Sequence, residues 1–339
     1  MSGERATYAA LETLADQFEH ALLVNDGSRL PLAKSFRYTE NGQRLEIGDG
    51  LWGTLSALAG QDARIFPGAA DLAYRISLTQ VDEVLRLIKI DENGVKGVMA
   101  MRLKAGEGQI SEAEIIPIRE EFFGDRGGTI TLLQPAMLVT MDGALVGSPD
   151  PLFLQEVAKS DSRDALINAA EAYINAIISN DAGAVVFADD CRRFDNGQPT
   201  TNVADAKALD PAQPSYKPFA LDCRAQIGSG FFSNLRRLRG LRSWADPLRG
   251  LVLSFVQIDN PGTITSFEVS GIGRVRYPGP MAGTPGDVSA REQFDGRITT
   301  NMISPVTMNC AFLFRIENGK IRRIDAFYRG APYGMKSGW

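Results

Sequence analysis

Histidine is almost missing from this 339-residue sequence, which has only His20. That scarcity excludes a two-histidine metal motif such as HExxH and leaves His20 as the sole base for a Ser-His-Asp or Cys-His arrangement. Cysteine is nearly as rare: Cys191, Cys223 and Cys310 form no CxxC pair, so zinc knuckles and ribbons are excluded. There is no GxxxxGK[ST] phosphate loop, and GSG at 228–230 and GIG at 271–273 lack the rest of a dinucleotide fingerprint. No apolar run approaches the roughly 18 residues of a membrane span. The opening MSGERATYAALETLADQF has neither a basic n-region nor an apolar h-region, so the expectation is a cytoplasmic protein with no membrane partner. A net charge of −5 gives no pull toward nucleic acid. Chemistry in such a chain falls to carboxylates, arginines, tyrosines and amides, with no metal and no cofactor expected.

What is present is an internal repeat. Residues 10–43 and 165–198 align without a gap at an offset of 155, pairing Asn25 with Asn180, Asp26 with Asp181, and Asn41-Gly42-Gln43 with Asn196-Gly197-Gln198. A period this long means two copies of a domain rather than a solenoid unit. Each copy opens on an amphipathic helix: Leu11, Leu14, Ala15, Phe18 and Leu22 match Leu166, Ala169, Ala170, Tyr173 and Ile177. A second short helical segment and an Asn-Gly turn are expected to follow.

The back half of each copy reads as strands. EVLRLIKID (83–91), VKGVMAMRLK (95–104) and QISEAEIIPI (109–118) correspond to GLVLSFVQID (250–259), TMNCAFLFRI (307–316) and KIRRIDAFY (320–328). The last strands align at an offset of 211, setting Glu114 opposite Asp325. The expected domains are residues 1–120 and 161–339, joined by 121–160, with insertions in the second copy near 199–222 and 260–300. Helices followed by an antiparallel meander make an α+β pattern, in which helices close one face of a curved sheet into a cone with an apolar pocket. The basic run RRLRGLR (236–242) reads as a solvated helix or a contact with copy one, and 271–287 as a lid or an oligomer contact.

RYTENGQ (37–43), GDGLWGT (48–54), AMRLK (100–104) and ISEAEIIPI (110–118) in copy one resemble the NTF2-like, SnoaL-like superfamily. So do FADDCRRFDNGQPTTN (187–202), DCRAQIGSGFF (222–232), DPLRGLVLSF (246–255) and PYGMKSGW (332–339) in copy two. Within that superfamily the sequence resembles a group of tandem SnoaL-like proteins. The resemblance implies two tandem NTF2-like cones, each a curved antiparallel sheet with helices on one face, joined as a covalent pseudo-dimer. The superfamily spans isomerases, cyclases, dehydratases, hydrolases, lyases and non-catalytic binders, so the fold is implied more specifically than the reaction. The sequence departs from its better-known members: His20 is matched by Asn175, and Asn309-Cys310-Ala311-Phe312 stands where AEAF is expected.

Several side chains are candidates for the chemistry. Strict alternation along 320–328 sets Ile321, Arg323, Asp325 and Phe327 on one face and Arg322, Ile324, Ala326 and Tyr328 on the other. Asp325 beside Arg323 would serve as a general base if that face lines the cone; if it is the convex face, the pair lies where the copies meet. Asp222 is the alternative acid or base. Gln226 would steady an oxyanion, or hold a loop. Tyr328, Tyr333, Arg193 and Asn196 are expected around the substrate, with Tyr38 and Trp52 their counterparts in copy one. Arg102 and Glu114 read as a cross-strand ion pair. Cys191 and Cys223 read as free buried thiols, a bridge being the alternative in an oxidising compartment. Cys310 lacks an activating base beside it.

The expected function is a cofactor-independent lyase or isomerase, dehydratase- or cyclase-like, working by proton abstraction. Its partner would be a small apolar oxygenated molecule such as a polyketide, terpenoid, steroid or lignin-derived aromatic, and a homodimer is expected to be possible. The alternatives are a non-catalytic carrier or sensor that uses the cone, and a structural partner-binding module.

Overall fold

An amphipathic helix opens each half of the chain. In the computed structural model, which describes residues 8–59, 75–119, 151–203, 218–264, 266–270, 273–276 and 305–338, α1 spans Tyr8–Leu23 and buries Leu11, Leu14, Ala15, Phe18 and Leu22 along one stripe. Its counterpart, α3, spans Arg163–Ser179, is capped by Ser162 Oγ accepting from the Ala165 N–H at 3.2 Å, and ends at left-handed Asn180. A one-turn helix, α2 (Leu51–Thr54), and a short α4 (Cys223–Gly228) complete the described α-helices.

The segment between the first helix and the Asn-Gly turn, expected to be helical in both halves, is instead a strand: β1 (Leu32–Glu40) and β8 (Phe187–Asp195). Each continues through Asn-Gly into a short partner, β2 (Gln43–Leu45) or β9 (Gln198–Pro199). The remaining strands are β3 (Ala57–Leu58), β4 (Arg75–Gln80), β5 (Glu83–Glu92), β6 (Val95–Gly106), β7 (Gln109–Arg119), β10 (Arg237–Asp246), β11 (Leu251–Asn260), the small pair β12 (Ser266–Val269) and β13 (Gly273–Arg276), β14 (Val306–Glu317) and β15 (Lys320–Pro332). The basic run 236–242 therefore lies largely in strand β10, not in a helix.

The two large sheets have like orders: β2-β1-β7-β6-β5, then β3 and β4, and β9-β8-β15-β14-β11-β10. They are curved and mixed rather than wholly antiparallel, because the strand after the helix pairs parallel with the last strand. The registers repeat as well. Tyr38, Thr39 and Glu40 face Ala113, Glu114 and Ile115, while Arg193, Phe194 and Asp195 face Ile324, Asp325 and Ala326. The sequence offsets of 155 and 211 relate every one of these pairs.

Burial divides the side chains into three groups. Leu11, Phe18, Trp52, Met99 and Ile115 join α1 to one face of the first sheet. Leu166, Tyr173, Phe312, Phe314 and Ile324 join α3 to one face of the second. The opposite faces share a third cluster, with Leu85, Leu87 and Ile116 from the first sheet and Trp244, Leu253, Leu313 and Phe327 from the second. Each such side chain contributes roughly 1.5–3 kcal/mol on leaving water. Polar contacts tie the sheets together: Arg242 Nη2 donates to both Glu114 oxygens at 2.8 and 2.7 Å, Trp244 Nε1 donates to Glu83, and Asn309 Nδ2 donates to Asn41 O at 2.9 Å. Arg102, in register with Glu114, forms the expected cross-strand pair at 3.6 Å. No helix is long and apolar enough to cross a membrane.

Candidate functional site

Alternation along β8 turns Cys191, Arg193 and Asp195 toward α3, while Arg192 and Phe194 face away. The parallel register brings Ile324 and Ala326 of β15 beside Arg193 and Asp195, and Tyr328 shares their face. Cys310 of β14 lies opposite Tyr328. Tyr173 of α3 closes over them, packed edge-on against Phe187, Phe312 and Phe314.

Arg193 and Asp195 form the centre. Arg193 Nε donates to Asp195 Oδ1 at 2.7 Å and Nη2 donates to Oδ2 at 3.0 Å. The guanidinium is 5% exposed and stands 4.7 Å from the centroid of the Phe232 ring. Its third nitrogen, Nη1, is buried with no hydrogen-bond partner among the described residues. The Asp195 side chain keeps 15% exposure, and the Tyr328 hydroxyl donates to it. Burial pushes the Asp195 carboxyl above its ordinary value, against the pull of Arg193 and Tyr328. Burial also opposes the Arg193 charge, yet Asp195 beside it keeps the guanidinium firmly protonated. The Tyr173, Tyr328 and Cys310 protons are all held more tightly than usual, first through burial. Cys310 is therefore a poor thiolate and a poor nucleophile.

Asn196 fixes this geometry. It sits at φ 47 in the Asn-Gly turn, where its Oδ1 accepts from the Tyr328 N–H at 2.9 Å and its Nδ2 donates to Tyr328 O at 3.2 Å. Thr201 Oγ1 accepts from the Arg193 N–H at 2.7 Å. The turn and the loop after it thus hold the two strands that carry the polar cluster.

The other expected site residues lie elsewhere. A bulge near Arg322 returns Ile321 to the helix-covered side with Ile324 and Ala326, while Asp325 and Phe327 face the first sheet. There Arg323 Nε donates to Asp325 Oδ1 at 2.6 Å over Phe194. This is the convex-face position, not the cone lining. Asp222 caps α4, its Oδ1 accepting from the Ala225 N–H at 2.7 Å. Gln226 Nε2 donates to Thr200 O and to Pro218 O, so its amide holds a loop. Tyr333 is exposed and its hydroxyl accepts from Arg237 at 3.4 Å.

In the first half, Tyr38 and Glu40 occupy the positions of Arg193 and Asp195. The Tyr38 hydroxyl donates to Glu40 Oε2 at 3.1 Å, and the Leu51 N–H donates to the same oxygen at 2.7 Å. Trp52 packs edge-on against Phe18 and Tyr38 inside the core. Arg86 reaches Glu12, Asp16 and Glu19 of α1 at 2.7, 2.7 and 2.5 Å. On that helix-covered face the carboxylates are paired internally, while Trp52 Nε1 and Arg86 Nε are buried with no hydrogen-bond partner among the described residues.

Sequence reasoning missed Asp195 and Tyr173. The signal for Asp195 was its spacing of two from Arg193 together with its repeat partner Glu40. Tyr173 was read only as an apolar helix position.

Residues 159–328 match the model of a family described as a domain of unknown function, DUF8021. No curated protein matches the sequence. Among solved structures, the chain is similar to a "putative polyketide cyclase" from Xanthomonas campestris pv. campestris, with 14% identity, a TM-score of 0.28, and coverage of 49% of this chain and 92% of that one. A second protein of the same description, from Silicibacter sp. TM1040, has 10% identity and a TM-score of 0.28, with coverage of 50% and 93%.

Proposed function

The chain belongs to the DUF8021 family, whose description assigns no reaction, and we propose that its second half is a cofactor-independent lyase or isomerase. Its substrate is a small, mostly apolar molecule with a carbonyl or hydroxyl group. One observation carries this reading: a partly exposed carboxylate, Asp195, lies beside a buried arginine that keeps one nitrogen unpartnered. In the proposed step Asp195 takes a proton from carbon next to a carbonyl, and the C–H electron pair moves into the forming enolate. Arg193 Nη1 donates to the developing oxyanion. Return of the proton to another carbon gives isomerisation, and departure of a β-oxygen gives elimination. A positioned base contributes roughly 10²–10⁴-fold and an oxyanion donor roughly 10²–10³-fold. Tyr328 orients the carboxylate, and Tyr173 with Phe232 supplies an aromatic surround.

The proposal moves the base from Asp325 and Asp222 to Asp195 and keeps Arg193, Tyr328 and Asn196 at the site. We read the chain as two copies of one domain, which the repeated strand order and register support, with the first copy structural. The carboxylate beside a free donor favours catalysis over the carrier reading.

The test is solvent-deuterium exchange at the α-carbon of small cyclic and aromatic ketones, followed by NMR. Wild type is expected to exchange at least one of them, and Asp195→Asn to lose 10²-fold or more. Unchanged exchange in Asp195→Asn would overturn the assignment.

A further inference from the structure

Cys191 on β8 and Cys223 at the start of α4 are each 3% exposed, and their sulfurs stand 2.7 Å apart. Unbonded carbon atoms settle at about 3.5–4.0 Å, and sulfur is the larger atom. A covalent S–S bond measures about 2.0 Å and forms where two Cβ vectors converge. The contact lies between those two regimes, so the backbone already presents the thiols to each other.

The surroundings hold them there independently. Asn202 Nδ2 donates to Cys191 O at 2.9 Å, and Thr201 Oγ1 lies 3.8 Å from Cys223 Sγ. Gln226, one turn along α4 from Cys223, clamps Thr200 O and Pro218 O. Both ends of the 199–222 insertion are thus pinned where the sulfurs meet. Cys310 Sγ donates instead to Met308 O at 3.6 Å on β14.

We propose that Cys191 and Cys223 form a disulfide in the folded protein while Cys310 remains a thiol. The bond closes during folding by exchange with an oxidant of the glutathione-disulfide class. Cys223 thiolate attacks one glutathione sulfur and expels a glutathione thiolate. Cys191, losing its proton, then attacks Cys223 Sγ in the mixed disulfide and expels the second. The two cysteine protons end on two glutathione thiols, so one disulfide is reduced as one is made. Cys223 is the attacking partner because the Cys191 thiol donates to it and lowers its pKa, while Cys191 is raised. The bond braces β8 two residues before Arg193, and it belongs to an oxidising compartment rather than the cytoplasm expected from the sequence.

The full chain, refolded in a glutathione redox buffer and acid-quenched, is alkylated in denaturant and weighed. One alkyl group is expected, rising to three after prior reduction, with a linked peptide joining Cys191 to Cys223. Three groups without reduction, or a link that includes Cys310, would overturn the proposal. A bridge across 32 residues is worth roughly 10²–10³-fold in the folding equilibrium. Reduction, Cys191→Ser and Cys223→Ser should therefore each lower the urea midpoint to the same degree, whereas Cys310→Ser should keep the link. A midpoint that reduction leaves unmoved counts against the bracing.

Discussion

Arg193 spends two nitrogens on Asp195 and keeps the third unpartnered, so removing the tyrosine beside them should alter acidity before it alters shape. Burial raises the Asp195 carboxyl, and the Tyr328 hydroxyl pulls it partly back. Tyr328→Phe deletes that pull, so the Asp195 pKa rises further and more acid survives at a given pH. The acid limb of kcat/KM for ketone exchange should therefore move to higher pH, and a shift to lower pH would refute the contact. Much at this scale was readable. Arg193 and Asn196 were chosen as following an expected second helix and Tyr328 from the last strand, and all three meet here although the helix is a strand. Asp195 was overlooked because the segment before the Asn-Gly turn was expected to be helical, and only a strand puts Asp195 on one face with Arg193. Asp325 was favoured because it follows Arg323 at strand spacing, but the bulge assigns that pair to the opposite face.

The short element α4 separates a structural carboxylate from a chemical one. Asp222 accepts from the Ala225 N–H and makes no other role necessary, so Asp222→Ala should cost about 1 kcal/mol of stability through the lost cap. Urea denaturation would measure that loss, and exchange activity per folded molecule should be unchanged. Strand identity was legible where β-rich apolar runs were bounded by turn residues, as in Val84 through Ile90 or Met308 through Phe314, both buried on each face. It was hidden in β8 because the face that should have been apolar carries Arg193 and Asp195. The polar groups of the proposed site erased the pattern of the strand that holds them. Arginine spacing likewise disguised β10, where Arg237 and Arg239 both pair with Asp259 of the neighbouring strand.

Across the whole molecule, the sheets meet over an apolar cluster with Arg242 and Glu114 at its edge. Arg242→Met removes two hydrogen bonds to the Glu114 carboxylate but leaves Arg102 3.6 Å from it. The variant should therefore destabilise the protein by about 1.5–3 kcal/mol, with Glu114→Gln recovering part of it in a double-mutant cycle. Additive effects would show that the pair contributes nothing as a pair. The repeat at offsets of 155 and 211 foretold which residues share a register. It did not foretell that the first and last strands of each half run parallel, because a parallel closure has no local signature. That closure has a consequence for synthesis. Asn196 grips Tyr328 across 132 positions, whereas the first sheet is complete once Arg119 has been made. At ordinary elongation rates β8 waits on the order of ten seconds for β15. Throughout that wait the nascent chain offers an unzipped edge to chaperones or to a neighbouring ribosome's product, and the half proposed to do chemistry is the last to be born.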